Sequence, residues 1–96
     1  MVIEFLTFTV PVDELELWLE IERQHWTRFL ERQTGFVRKE MWRSQDDPQV
    51  VHAVIWWAST ADWKSISQTE LDQIVAEMGV HERTASCVAF DVVRQS

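Results

Sequence analysis

The chain has 96 residues and a mass of 11.4 kDa, the size of one small domain, and we expect residues 1–96 to fold as a single unit. Hydrophobic residues make up 46% of the chain and charged residues 26%, a composition that indicates a globular protein and excludes a disordered one. The formal net charge of −7 argues against binding to nucleic acid or to an anionic membrane surface, because both need clustered Lys and Arg.

The sequence also carries signals about the compartment. Cys87 is the one cysteine, so no disulfide can form within the chain, which fits a reducing environment. The first residues have no basic region and reach Glu4 almost at once, unlike a signal peptide. No apolar run approaches the roughly 20 residues that a membrane span needs. We therefore expect a cytoplasmic protein.

Two elements are predicted in the first third of the chain. Residues 2–10 are rich in β-branched and aromatic side chains and predict a strand, which Pro11 ends because proline has no N–H to donate. Asp13, with a glutamate three residues later, predicts the N-cap of a helix. This helix should run to about Gln33, with Gly35 as its C-cap.

This helix is predicted to be amphipathic. At about 100° per residue, its apolar stripe contains Leu15, Trp18, Leu19, Trp26, Phe29 and Leu30. The opposite side contains Glu16, Glu20, Arg23, Thr27 and Glu31. The apolar stripe should pack on a sheet.

The rest of the chain predicts a hairpin, two helices and a last strand. Asp and Pro residues at positions 44–48 are typical of a turn between two strands. Ser59 and Ser67 each begin a helix-start signature, and Gly79 caps the second helix. The predicted elements cover residues 36–43, 50–58, about 60–66, 68–78 and about 85–94.

The order β-α-β-β-α-β, with the second helix split in two, predicts an α+β fold of the ferredoxin-like class. Such a fold is a four-stranded antiparallel sheet with its helices on one face. Strands 2–10 and 50–58 are apolar on both faces, so the second face also needs a cover. An identical sheet from another copy would provide it, which predicts a homodimer through the sheet faces. Trp56 and Trp57 should point to opposite faces of one strand.

Several short motifs stand at the element boundaries and on the strands: Thr34-Gly35-Phe36, Met41-Trp42-Arg43-Ser44, Asp46-Asp47-Pro48, Val54-Ile55-Trp56-Trp57, and Ser59 with Asp62-Trp63-Lys64. With them the chain resembles the dimeric α+β barrel superfamily, and within it the antibiotic-biosynthesis-monooxygenase-like branch. The resemblance extends over nearly the whole chain in element order, and the nearest part of that branch is an uncharacterised subgroup of about this length.

The resemblance implies a homodimeric fold and a small-ligand pocket between helices and sheet. Members of the superfamily include cofactor-independent monooxygenases and haem-degrading enzymes. The haem-degrading members use an Asn, and this chain has none, so that activity is not carried over and no cofactor is expected. No catalytic residue is carried over either.

Glu22 and His25 are the candidate catalytic residues. Glu22 lies inside the apolar stripe of the first helix, where a carboxylate is costly unless it is paired, hydrogen-bonded or facing a wet cavity. His25 is three residues further on and within reach on the same side. A Glu22–His25 pair at a pocket is one interpretation. A structural pair between Glu22 and an Arg or an indole N–H is the other.

The candidate ligand-binding residues are Trp18, Trp26, His52 and Trp63. The three tryptophans could stack on a flat aromatic compound, or they could simply fill the core. His52 could face the same helix as His25, or it could be an ordinary histidine of the sheet. No spacing matches a recognised metal motif, so we predict no metal site.

Two functions follow as hypotheses. The first is a small-ligand-binding protein of the monooxygenase-like kind, acting without a cofactor on a small hydrophobic aromatic compound. The second is a non-catalytic homodimeric binding or assembly module that has kept the scaffold. A pocket open to solvent and lined by Glu22 and His25 would favour the first, and a cavity filled by Trp side chains would favour the second. The most useful observation is whether a cavity of at least about 300 Å³, the lower end for ligand sites, lies beside Glu22. Neither hypothesis includes nucleic acid or a membrane as a partner.

Overall fold

A computed structural model describes all 96 residues. The strands are β1 (Val2–Thr9), β2 (Phe36–Arg43), β3 (Val50–Trp57) and β4 (Ser86–Asp91). The helices are α1 (Leu15–Glu22), α2 (Arg28–Glu31), α3 (Thr60–Lys64) and α4 (Gln68–Met78). A π-helical turn, Arg23–Thr27, joins α1 to α2 without a break, and we call residues 15–31 the long helix. No helix is long and apolar enough to cross a membrane.

The four strands form one antiparallel sheet in the order β2-β3-β1-β4. The predicted α+β fold of the ferredoxin-like class is therefore confirmed. The helices cover the sheet face that carries Ile55 and Trp57, which belong to the buried core. We call this the inner face and the other the outer face. Trp57 is fully buried, whereas Trp56 lies on the outer face against Trp42, so the prediction that they point in opposite directions is confirmed.

The buried core is divided into two clusters. The larger joins the sheet to α2 and α4, and consists of Val2, Phe29, Leu30, Ile55, Trp57, Ile74 and Met78. The smaller joins the sheet to α1, and consists of Val10, Leu15, Trp18 and Val51. A cavity lined by members of both clusters lies between the helices and the sheet.

Most element ends agree with the sequence within two residues. Ser59 and Ser67 accept hydrogen bonds from the backbone N–H groups three residues later, as N-caps do. Asp13 is not an N-cap, because residues 12–14 form a short 3-10 turn and α1 begins at Leu15 without a side-chain cap. The long helix ends at Glu31, two residues before the predicted end. The last strand ends at Asp91, three residues early.

Candidate functional site

The cavity between the long helix, α3 and the sheet has a volume of about 510 Å³, which is within the range of ligand sites. Its apolar wall comes from the sheet, both halves of the long helix, and the segment around α3 and α4. The apolar side chains of this wall include Leu6, Phe8, Trp18, Trp26, Leu30, Ala53, Ile55, Trp63, Ile66 and Leu71. Glu22 also lines it, so a cavity of the expected size is present beside this residue.

Three predicted ligand-binding residues lie on this wall. Trp18 is buried, and its indole N–H donates to the backbone carbonyl of His81 at 3.0 Å. Trp26 donates in the same way to Glu82 Oε1 at 2.8 Å. Trp63 comes from α3, and Lys64 Nζ lies 4.0 Å from the centre of its ring. Because two of the indole N–H groups are already bonded within the protein, these tryptophans can offer a ligand flat apolar surface.

Glu22 and Lys39 also line this cavity, and they form a charged cluster with the Thr27 hydroxyl behind them. Glu22 is 3% exposed, so its predicted burial is confirmed. Lys39 Nζ donates to Glu22 Oε1 and, at 2.8 Å, to Thr27 Oγ1. The Thr27 hydroxyl donates to both carboxylate oxygens of Glu22, at 2.8 and 3.0 Å. The buried carboxylate is thus paired and hydrogen-bonded, as its burial requires.

The π-helical turn explains how Thr27 reaches Glu22. In a regular α-helix, residues five apart point about 140° away from each other, because each residue advances by about 100°. A π-helical turn is wider, and its hydrogen bonds join residues five apart, so Thr27 lies much closer to the side of Glu22 than it would in an α-helix. The prediction that Thr27 lies on the opposite side of the helix is wrong, because it assumes α-helical spacing throughout.

A β-bulge brings Lys39 to the same place. Side chains alternate between the faces of a strand, so Phe36 and Lys39, three residues apart, would point to opposite faces of a regular β2. The register shifts after Phe36, which pairs with Trp57, while Arg38 pairs with Trp56. One extra residue is accommodated there, and both Phe36 and Lys39 face inward. Bulges of this kind are over-represented next to active sites.

Burial and pairing act on Lys39 in opposite directions. Burial lowers the pKa of the Lys39 ammonium, and the nearby Glu22 carboxylate raises it again. The net direction is downward. A buried lysine with a lowered pKa can release a proton more easily than one on the surface, which is a property of functional lysines.

Glu4 is a second carboxylate of the cavity, half-buried, and it is absent from the site residues predicted from the sequence. Its Oε1 accepts a hydrogen bond from the indole N–H of Trp57 at 3.1 Å. Burial raises the pKa of Glu4, against the opposing effects of this hydrogen bond and of the Lys39 and Lys64 cations. The sequence does contain a signal for Glu4. It shares one face of β1 with Val2, Leu6 and Phe8, so it is a lone charge among apolar residues, as Glu22 is in the long helix.

The structure does not bring His25 to the cavity. Its Nδ1 lies 3.3 Å from Glu77 Oε1 of α4, in a polar groove on the other side of the long helix. Glu22 therefore does not pair with His25 as one interpretation of the sequence expected. Its carboxylate is hydrogen-bonded by Lys39 and Thr27 instead. The π-helical turn begins directly after Glu22, so α-helical spacing does not describe where His25 points.

His52 also lies away from the cavity, on the outer face of the sheet. Its Nδ1 is 3.1 Å from Thr7 Oγ1, and its ring is stacked at 4.6 Å between centroids on Phe5. Its neighbours Val51 and Ala53 point inward instead. Because side chains alternate along β3, His52 points outward, and the prediction that it lines the ligand pocket is wrong. No three His, Cys, Asp or Glu side chains lie close enough together to hold a metal ion.

Solved structures share this fold. SnoaB, a cofactor-independent oxygenase from Streptomyces nogalater, is 20% identical, with a TM-score of 0.73 over 98% of this chain and 94% of its own. MhuD, a heme degrader from Mycobacterium tuberculosis with two hemes bound in its active site, is 22% identical, with a TM-score of 0.69 over 100% of this chain and 99% of its own. An antibiotic biosynthesis monooxygenase is 13% identical, with a TM-score of 0.68 over 98% of this chain and 100% of its own.

These likenesses confirm, at the level of the fold, the resemblance to the antibiotic-biosynthesis-monooxygenase-like branch. No protein-family model matches the sequence, and no curated protein is significantly similar to it. A shared fold at this identity does not fix a ligand or a reaction. Those have to be argued from the residues of the cavity.

Proposed function

We propose that this protein binds a small hydrophobic aromatic compound in the cavity between its helices and its sheet, and that it oxygenates the compound without a cofactor. The cavity of about 510 Å³ is the observation that supports binding most directly. Three tryptophans line it, and contact between an aromatic side chain and a flat ring system contributes about 0.5–1.5 kcal/mol per pair beyond burial.

The charged cluster supports a chemical role for the same cavity. An ion pair buried as deeply as Glu22 and Lys39, whose side chains are 4% and 5% exposed, contributes little net stability compared with apolar residues of the same volume. Perturbed ionisable groups in a pocket are candidates for function. The cavity therefore combines an apolar wall for a substrate with groups that can hold or move a proton.

The reaction class comes from the likeness to SnoaB, a cofactor-independent oxygenase. In such a reaction the substrate itself reduces molecular oxygen. The cavity would contribute exclusion of water, an aromatic surface that orients the substrate, and proton transfer at Glu4 or Lys39. The shared fold and a cavity of suitable chemistry together support this class of reaction.

A screen of flat aromatic compounds tests the proposal. Binding should quench the fluorescence of Trp18, Trp26 or Trp63, and an oxygen electrode should then show uptake of oxygen with the bound compounds. Ala53→Leu, which adds atoms to the cavity wall, should abolish binding, whereas Ala58→Leu at an exposed position should not. Binding without oxygen uptake would favour the non-catalytic binding module, and no binding at millimolar concentration would overturn both parts of the proposal.

We also propose that two copies associate through the outer faces of their sheets. This face carries an aromatic cluster, in which Phe5 packs on Trp42 and Phe90 at 6.3 and 5.9 Å between centroids. Phe90, Val88 and Trp42 are 51%, 53% and 43% exposed in the single chain. An apolar face of this kind is typical of an interaction surface. Light scattering should find a dimer at micromolar concentration.

A further inference from the structure

Glu4 lies on the part of the cavity wall that the sheet forms. Along the inner face of the sheet it lies in one row with Ile55 and Lys39, since Glu4 pairs with Ile55 and Ile55 pairs with Lys39. Neighbouring strands are about 4.8 Å apart, so Glu4 and Lys39 flank Ile55 at about 10 Å between their backbones. Both side chains line the cavity.

The carboxylate of Glu4 is held at one oxygen only. Trp57, which is fully buried, donates to Oε1 at 3.1 Å, and the structure gives Glu4 no other hydrogen bond within the protein. The hydrogen bonds of Lys39 go to Glu22 and Thr27 and not to Glu4. An ionised carboxylate can accept about four hydrogen bonds. Glu4 therefore has acceptor capacity left over at the cavity that it lines.

The charges of the wall indicate which kind of donor fits. The ionisable side chains of the cavity balance, with three carboxylates and three cations: Glu4, Glu22 and Glu82 against Lys39, Lys64 and Arg83. A ligand with a net charge would upset this balance in a largely apolar site. A neutral ligand with a hydroxyl or N–H group would satisfy Glu4 and leave the balance unchanged.

We infer that Glu4 is the specificity-determining residue of the cavity, and that it selects neutral aromatic compounds that present a hydroxyl or N–H donor to its free oxygen. This inference rests on the proposed function and adds the class of ligand to it. A hydrogen bond to a carboxylate is stronger than one between neutral groups. A compound with the donor should bind about tenfold more tightly than the same compound without it.

Titration calorimetry with 2-naphthol and 2-methoxynaphthalene tests the inference, because the two probes share a ring system and only the first can donate. The wild-type protein should prefer 2-naphthol by about tenfold. Glu4→Gln should remove this preference. The amide oxygen of Gln must accept from Trp57, so the variant turns an NH₂ donor toward the cavity in place of an acceptor.

Glu40→Gln is the matched control, because Glu40 also accepts an indole N–H, from Trp42 at 2.9 Å, but lies on the outer face. This variant should keep the preference for 2-naphthol. Equal affinity of the wild-type protein for the two probes, or a preference that survives in Glu4→Gln, overturns the inference and leaves the proposed function standing. If neither probe binds while other flat aromatic compounds do, the inference alone is overturned; if no flat aromatic compound binds at millimolar concentration, the proposed function fails and the inference fails with it.

Discussion

Glu22 is a charged residue within the apolar stripe of the long helix, and its position alone predicts its surroundings. A carboxylate inside an apolar helical stripe has to be buried, and burial requires a partner. The sequence therefore predicts both the burial of Glu22 and the need for a cation or a donor. It does not identify the partner, because Lys39 is 17 residues away and reaches Glu22 through tertiary structure.

The Glu22–Lys39 pair makes a clear prediction about stability. Glu22→Leu and Lys39→Met should each lower the free energy of unfolding by about 3–5 kcal/mol, because each leaves one charge buried without its partner. The double variant Glu22→Leu/Lys39→Met should lose much less than the sum, and its stability should be close to wild type or higher, since no charge remains buried. Urea unfolding measures all three differences.

An exposed ion pair serves as the control. Glu20 lies 2.6 Å from Arg23, and hydrogen bonds from Arg23 and Gln24 lower the pKa of Glu20 to about 2. Solvent screens this pair, so Glu20→Gln should leave the free energy of unfolding nearly unchanged. Additive losses in the Glu22 and Lys39 variants would contradict the account of the cluster, because independent residues add.

The candidate site was predictable from the sequence only in part. Trp18 follows from regular helical spacing and Trp63 from the position of α3, and both line the cavity. Trp26 lines it too, although it lies within the π-helical turn. Glu4 follows the same reasoning as Glu22, but only if strand alternation is examined for lone charges as carefully as helical spacing. The chemistry of Glu22 was not predictable, because its partners depend on departures from regular structure.

At the scale of elements, two such departures build the charged cluster. The π-helical turn brings Thr27 to Glu22, and the bulge in β2 turns Lys39 inward. Each accommodates one residue more than the regular element would. Beyond an inserted residue, side-chain directions no longer follow the regular period of 3.6 residues in a helix or two in a strand. The same patterns still predict the elements on either side. The fold could therefore be predicted from the sequence, whereas the arrangement of this cluster could not.

Gly35 fixes how the long helix connects to β2 beside α3. It has a positive φ of 82°, and a Cβ at this position would overlap with the side chain of Asp62 in α3. Gly79 also has a positive φ, of 56°, but a Cβ there would meet open space. The two glycines thus share a backbone requirement, and only Gly35 adds a steric one.

Alanine substitutions should separate the two contributions. Gly79→Ala should cost about 1–3 kcal/mol of unfolding free energy from backbone strain alone. Gly35→Ala should cost about 1–3 kcal/mol more, because α3 must also move away from the new methyl group. Thermal and urea unfolding of both variants provide the comparison. Equal losses would mean that Asp62 yields to the methyl group without cost.

At the scale of the whole molecule, the chain is a two-layer slab with extents of 36 × 34 × 18 Å. The helices cover one face of the sheet and leave the other bare. Both faces of β1 and β3 are apolar in the sequence, and this pattern predicts a second layer on the bare face. A face of this size can accommodate the roughly 800 Å² per partner that stable dimers bury.

Charges placed on the outer face should separate the proposed dimer into folded monomers. Phe90→Glu on β4 and Trp42→Glu on β2 each put a carboxylate where an apolar partner surface is proposed, and an unpaired charge in an interface is strongly unfavourable. Both side chains are about half exposed in the single chain, so the monomer should keep its fold, as circular dichroism can verify. Val80→Glu is the control, because Val80 is 95% exposed in the short turn after α4. Light scattering should show a dimer for the wild-type and Val80→Glu proteins and a monomer for the other two. A wild-type monomer, or dimers that survive both outer-face charges, would contradict the proposed assembly.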